Sequence, residues 1–259
     1  IFKLMALTKY PYNTNLAKGT SFINETLSLI EFYEESDTKQ LFLARCITAN
    51  ILDKSTEHRT RDIIGLVFFD RFWKGNRNVI PNLKELRQNG LSLDALKSLL
   101  YIYMARANRV FYDFVIELSL TSRDEKVNTS IAERFILKGI SIGMAPSWSD
   151  SMIKRVSSYL ISCLKEFDLL DNDGYLKLGF PDQKVVSYLL HELHFEGKRD
   201  DEITREKVWG LLGLTESQVI KEMEKVSFRG TFIFQFSGEI LKIGWNYDNM
   251  EEFIENECR

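Results

Sequence analysis

Six residues between Ser149 and Phe167 have the types and the spacing to touch a polyanion: Ser151, Lys154, Arg155, Ser158, Ser162 and Lys165. They follow i, i+3, i+4, i+7, i+11 and i+14, and at about 100° per residue a helix gathers them into one arc of roughly 100°. No carboxylate falls inside that arc, and Glu166 stands just outside it. Phosphates repel acids and attract Lys and Arg, while base edges accept from hydroxyl and amine donors. The face therefore has the composition of a helix that lies against a nucleic-acid groove. The opposite side carries Ile153, Val156, Leu160, Cys163, Leu164 and Phe167, the spacing of a buried seam. An amphipathic helix whose polar side simply meets water has the same pattern, and composition weighs the two readings equally.

A second basic cluster, Lys54, Ser55, Thr56, His58, Arg59, Thr60 and Arg61, opens another helical stretch. Hydroxyls and cations at a helix start can hold phosphate, because the first amides and the dipole favour anions. Glu57 and Asp62 dilute the signal, so a capped helix with solvated charges explains it at least as well. Lys54, Arg59 and Arg61 are the candidate backbone contacts there. A third candidate, Thr215 to Val226, has the apolar skeleton of a helix-turn-helix with Gly213 as the turn. It exposes Glu216, Glu222 and Glu224, which phosphates would push away, and leaves Gln218 and Arg229 as marginal contacts.

Catalytic patterns are weaker. His191-Glu192-Leu193-His194 places its histidines at i and i+3, whereas a zinc helix needs i and i+4, and no fourth ligand accompanies Glu196. Asp171-Asn172-Asp173-Gly174 puts glycine at the fourth position of a calcium loop rather than the sixth. No P-loop, dinucleotide fingerprint, Gly-x-Ser-x-Gly elbow or Cys-x-x-Cys pair occurs. The expectation is a protein that is not an enzyme, with no metal, no cofactor and no small-molecule substrate.

The elements that must position these residues are mostly helices. Apolar stripes at 3.6-residue spacing predict helices over about Lys39 to Ile51, Glu57 to Trp73, Ser92 to Met104, Asn108 to Leu120 and Ser130 to Ile142. Polar stretches such as Lys74 to Asn78 and Thr121 to Asp124 separate them. After Pro146 the character changes. A helix from Ser149 to Phe167 leads to a hairpin at Asp173-Gly174. A second set follows: Asp182 to Phe195, Thr204 to Leu212, Thr215 to Val226, a hairpin over Thr231 to Phe236 and Glu239 to Trp245, and a last helix from Asp248 to Asn256. Helix, turn, helix, hairpin is the winged-helix order, and it occurs twice. The predicted class is mainly α, a helical domain over residues 1–128 followed by winged-helix-like units over 129–259. The latter divide at 129–180 and 181–245, with an acidic tail over 246–259.

The 259 residues carry 34 basic and 37 acidic side chains, a net charge of -3, with 44% apolar residues, so disorder and low complexity are excluded. Residues 1–145 hold 20 basic and 16 acidic side chains and residues 146–259 hold 14 and 21, so any nucleic-acid surface must be local. Three scattered cysteines, Cys46, Cys163 and Cys258, favour a reducing compartment. No apolar run reaches membrane-spanning length, and the opening Ile1 to Leu7 is too short and charge-interrupted for a signal peptide. A cytoplasmic protein with no membrane partner is expected.

In the order of its pieces the chain resembles the BrxA family of bacteriophage-exclusion (BREX) defence systems. The likeness runs from about Tyr12 to Phe253. It rests on Gly19 through Glu25 to Tyr33, on Ser55 to Arg61 and Arg71, on Trp148-Ser149-Asp150 leading to Leu169-Leu170 and Gly174, and on Trp245-Asn246-Tyr247-Asp248-Asn249-Met250-Glu251-Glu252. The resemblance implies a small, mostly helical cytoplasmic protein that binds double-stranded DNA and works beside other BREX proteins without known catalysis. A protein–protein adaptor with little DNA binding is the alternative. The acidic second half departs from a simple DNA binder.

Overall fold

The computed structural model describes residues 10–121, 125–238 and 240–257. The opening stretch Ile1 to Leu7, residues 122–124 of a polar connector, hairpin residue Glu239 and Cys258 lie outside them. In chain order the helices begin with α1 (Ile23–Phe32), α2 (Lys39–Thr48), α3 (Glu57–Asp62) and α4 (Phe69–Phe72). After a two-residue ribbon, β1 (Trp73–Lys74) with β2 (Arg77–Asn78), come α5 (Ile80–Gln88), α6 (Leu93–Ala107) and α7 (Arg109–Leu120). Then follow α8 (Thr129–Ser141), α9 (Asp150–Glu166), α10 (Gln183–Phe195), α11 (Asp200–Ile203) and α12 (Glu216–Ser227). A hairpin of β3 (Phe232–Ser237) and β4 (Ile240–Trp245) precedes α13 (Met250–Glu257). The fold is mainly α with two small antiparallel hairpins.

Packing divides the chain into two units that interleave along it. One contains residues 1–21 and 105–177, the other residues 22–104 and 178–259. The first unit carries 13 basic and 10 acidic side chains, +3, and the second 21 and 27, −6.

In the first unit α7, α8 and α9 each start on a side-chain cap. Asn108 accepts from the Phe111 amide at 3.1 Å, Asn128 from Ile131 at 3.2 Å and Ser149 from Met152 at 3.3 Å, each satisfying an otherwise orphaned donor. The stripes then meet: Phe114 of α7 lies 5.1 Å from Phe135 of α8 between ring centroids, and α9 lays its apolar side on α8. The segment before α1 is latched onto this core through Tyr12. Its amide donates to the Met144 carbonyl at 2.8 Å, and its hydroxyl donates to Asp113 at 3.1 Å. Gly139 makes room for the ring, since a Cβ there would stand 2.8 Å from it. After α9 the ribbon expected at Asp173-Gly174 contracts to one antiparallel bridge, Leu170 to Leu176. The Asp171 carboxylate folds that loop by accepting from the Asp173 and Tyr175 amides at 2.9 and 2.8 Å, and Gly174 takes φ +91°.

In the second unit α3 and α4 are one helical run joined by a π-helical segment, Ile63–Phe68, which buries Ile63, Ile64 and Phe68. Phe68 stacks on Phe42 of α2 at 5.8 Å and touches Phe72 at 5.3 Å. Two features of this unit lie beyond the sequence expectations. Lys74 to Asn78 is a tight ribbon, with Gly75 at φ +59°, and α5 follows it with a proline in its first turn. The helix expected over Thr204 to Leu212 is instead the short α11 followed by a 3-10 turn, Lys207–Leu212. The cause is local: the Arg199 amide donates to Glu202 at 3.1 Å and starts α11 early, and the Trp209 indole donates to the Ile203 carbonyl at 2.6 Å.

The hairpin is anchored at its base by aromatic packing around His191. That ring lies 3.9 Å from Phe253 in near-parallel stacking, with Trp245 edge-on at 5.1 Å, and Nδ1 is 2.8 Å from the Ser187 carbonyl. His194 stacks on Trp245 at 4.1 Å. Glu192, one residue on, turns to the other side of α10 and is buried. It takes Arg77 at 2.7 Å and the Tyr103 hydroxyl, which also meets Tyr188 at 2.7 Å. A buried carboxylate of this kind requires such partners.

Two expectations test this packing. Gly139→Ala gains about 1 kcal/mol of helix propensity but overpacks Tyr12 at about 1–3 kcal/mol, so urea denaturation is expected to show a net loss of about 1 kcal/mol. A stabilised variant would mean that Tyr12 does not occupy that notch. Burial holds the His191 imidazole down to about 4, against about 6.5 in an unfolded chain. The unfolded state therefore takes up the proton first, and stability is full above pH 6.5 and lost as pH falls toward 4, by at most about tenfold in the unfolding constant per pH unit. His191→Leu is expected to flatten that part of the profile, and an identical slope in both proteins would refute the assignment.

Candidate nucleic-acid interface

The interface candidate is built by α9. Ser149 caps it, Asp150 complements the dipole in its first turn, and the buried seam runs through Ile153, Val156, Leu160, Cys163 and Leu164. Because that seam faces inward, the 3.6-residue period turns the polar arc outward. Ser151, Lys154, Arg155, Ser158 and Lys165 are exposed and Ser162 is half-buried, so the six residues share one outer face. From Ser151 to Lys165 this face is about 21 Å long at 1.5 Å per residue.

Charge on that face is positive. Neither Lys154 nor Lys165 forms an ion pair with another described residue. The Arg155 guanidinium sits over the Tyr159 ring at 5.8 Å. Tyr159, half-buried at the margin of the arc, is a member of the site that residue-type reasoning passes over; its signal is the i+4 spacing from Arg155. Glu166, the carboxylate at the edge of the arc, is held by the amide of Ser21 at 3.0 Å and by the Ser21 hydroxyl. Its charge is thereby tied to Ser21 rather than left to the stripe.

Lys54, Arg59 and Arg61 belong to the other unit and are engaged within it. Lys54 donates to Glu25 at 2.8 Å. Burial pushes the Glu25 carboxyl up, but the Lys54 bond, a backbone bond and the positive charges of Lys54 and Arg59 together outweigh it and leave the group below the usual carboxylate range. Arg61 binds Glu57 one turn back, and Arg59 lies over the Phe22 ring at 5.6 Å. Thr56 spends its hydroxyl on the Arg59 amide at 3.2 Å. The cluster thus comes together as a capped, internally paired helix start.

On α12 the apolar side of Val219, Met223 and Val226 is buried, as the spacing predicts. Gln218 closes a capping box with Thr215, while Glu216 pairs with Arg205 at 3.1 Å and Glu222 with Lys225 at 2.6 Å. His191 and His194 are committed to aromatic stacking, and among the described residues no group of three or more His, Cys, Asp or Glu could hold a metal ion. No helix among the described residues is long and apolar enough to cross a membrane.

No curated protein matches the chain. Among solved structures, it is similar to the crystal structure of an uncharacterized protein from Magnetospirillum magneticum. The two share 15% sequence identity over 79% of this chain and 100% of that one, with a TM-score of 0.56, a likeness of fold alone. The BrxA family model matches residues 10–192, a span that holds the whole first unit from Tyr10 onward and α9 with it. With most of its length inside that match, the chain belongs to the BrxA family, which suggests a BREX-associated role.

Proposed function

We propose that this protein is a non-enzymatic, cytoplasmic accessory component of BREX defence that binds double-stranded DNA through the outer face of α9. The observation that carries the reading is the exposed stripe from Ser151 to Lys165, free of carboxylates, on a unit of net charge +3 in a chain of net −3. Lys154, Arg155 and Lys165 supply phosphate contacts, and Ser151, Ser158 and Ser162 stand where hydroxyls meet base edges or backbone oxygens. The order of α8, turn, α9 and bridged loop is read as a winged-helix-like module whose wing is short. Lys54, Arg59 and Arg61 would touch a separate stretch of backbone, with Lys54 and Arg61 exchanging their internal carboxylates for phosphates, which makes their contribution the smaller one.

Neutralising three to five phosphates gives a log–log salt slope of about −3 to −4 for duplex affinity. Gel-shift titrations at several salt concentrations are expected to show that slope for the native protein. For Lys154→Glu/Arg155→Glu they are expected to show a loss of affinity of at least about tenfold and a shallower slope. Unchanged binding in that variant would remove α9 from the interface and with it the proposal.

A second role, docking to other BREX proteins, draws on the −6 balance of the other unit and on the exposed Glu251 and Glu255 of α13. Both side chains point away from the buried Phe253 and Ile254, so Glu251→Lys/Glu255→Lys leaves that packing intact. Co-purification of the other BREX proteins with the native chain but not with this variant is the expected outcome, and equal recovery would refute an acidic docking face on α13.

A further inference from the structure

The cations of the α9 face stand on its two edges, with the hydroxyls between them. Taking Ser151 as the centre, 100° per residue sets Lys154 about 60° and Lys165 about 40° to one side. Ser158 and Ser162 each lie about 20° from the centre line, and Arg155 lies about 40° to the other side. Arg155 is thus the one cation of the six residues on its edge. Tyr159 follows it by one turn, about 80° from the centre, where the helix places it beside Val156 and Cys163 of the buried seam. The ring is half-buried, and the Arg155 guanidinium sits over it at 5.8 Å. Glu166 shares that edge, but it stands eleven residues beyond Arg155, about 16 Å along the helix, and Ser21 holds it.

An exposed arginine loses rotamer freedom when it is fixed on a phosphate, and that loss weakens the contact. An aromatic face beneath the guanidinium limits this freedom in advance. It also leaves the N–H groups, which lie in the guanidinium plane, open to an anion. We propose that Tyr159 is a positioning residue for duplex binding: it holds Arg155 ready for the phosphates of one strand, while Lys154 and Lys165 on the other edge take those of the complementary strand. The proposal rests on α9 being the duplex-facing helix. A helix seated in a groove has a strand along each edge and base edges under the face between them. The grip is unequal, with two lysines on one side and a single arginine on the other. Removing the ring takes away the readiness of Arg155 and leaves its charge. The number of counterions released on binding is then unchanged, and so is the salt slope. A single strand can use the lysine edge alone and does not need the ring.

Gel-shift titrations of the full chain with a duplex of about 20 base pairs, and with one of its separated strands, test this at several salt concentrations. Tyr159→Leu is expected to weaken duplex binding about two- to fivefold at every salt with the slope unchanged, and to leave single-strand binding within about twofold. Arg155→Gln is expected to weaken duplex binding more and to make the slope shallower by about 1. Tyr159→Phe keeps the ring and is expected to match the native chain. Adding Tyr159→Leu to Arg155→Gln is expected to change nothing further. Leucine keeps an apolar body beside the seam, and circular dichroism checks the fold. In the free protein, NMR relaxation at the Arg155 Nε is expected to show a more mobile side chain in Tyr159→Leu, a change that a ring serving the seam alone does not produce. Five outcomes would overturn the proposal: Tyr159→Leu binding like the native chain, Tyr159→Phe binding as weakly as Tyr159→Leu, additive losses in the double variant, equal losses on duplex and single strand, or an Arg155 equally mobile with and without the ring. Each of these leaves duplex binding by α9 standing. A native chain that binds no duplex removes that reading and this proposal together.

Discussion

The seam between α8 and α9 is the contact from which the rest of the first unit takes its orientation. Ile153, Val156, Leu160, Cys163 and Leu164 have to leave water together, and a helix can satisfy them only by presenting one side to its neighbour. The direction of Lys154 and Arg155 is then not a separate choice. A helix turned by one residue would bury a cation and expose a leucine, each at a cost of kcal/mol order. Functional geometry at this face is thus a by-product of hydrophobic burial, held rigid because the burial is extensive.

The second unit solves a different problem: how to seat a two-stranded hairpin, which has marginal stability alone. Its base is clamped from three directions, by Phe232 and Trp245 against His191, by His194 on the Trp245 face, and by Asp200 on the β4 edge. Farther along the hairpin Phe234 is half-buried and Phe236 is 46% exposed.

Much of this was legible in the sequence, for physical reasons that differ by element. The helices α7, α8 and α9 announce themselves because apolar period and cap agree: Asn108, Asn128 and Ser149 each stand one residue before the stripe begins. The six-residue arc on α9 follows from the same period, so its exposure could be anticipated residue by residue. The ribbon at Trp73 to Asn78 could not, since two residues per strand give no alternation to see. Nor could α11, whose helix rests on Arg199 and Glu202 meeting across one turn. Pairing lies further still from a linear reading. Nothing in Ser55 to Arg61 tells that Glu25, some thirty residues earlier, already holds Lys54, or that Ser21 reaches Glu166.

The interleaved order of the two units has a consequence for how the chain can be divided. Residues 105–177 form an insertion within the other unit, whose own halves, 22–104 and 178–259, complete one core. Tyr101 of the earlier half, for instance, donates to the Leu211 carbonyl of the later half at 2.9 Å. Contacts of such long sequence separation raise the contact order, and this one forms only after a loop of 110 residues has closed, at an entropic cost that grows slowly with its length. Ribosomal synthesis therefore cannot finish that core until the last segment has emerged, whereas the inserted helices are complete well before it. A terminal truncation deep enough to remove one unit necessarily breaks the other, because each is assembled from two separate stretches of the chain.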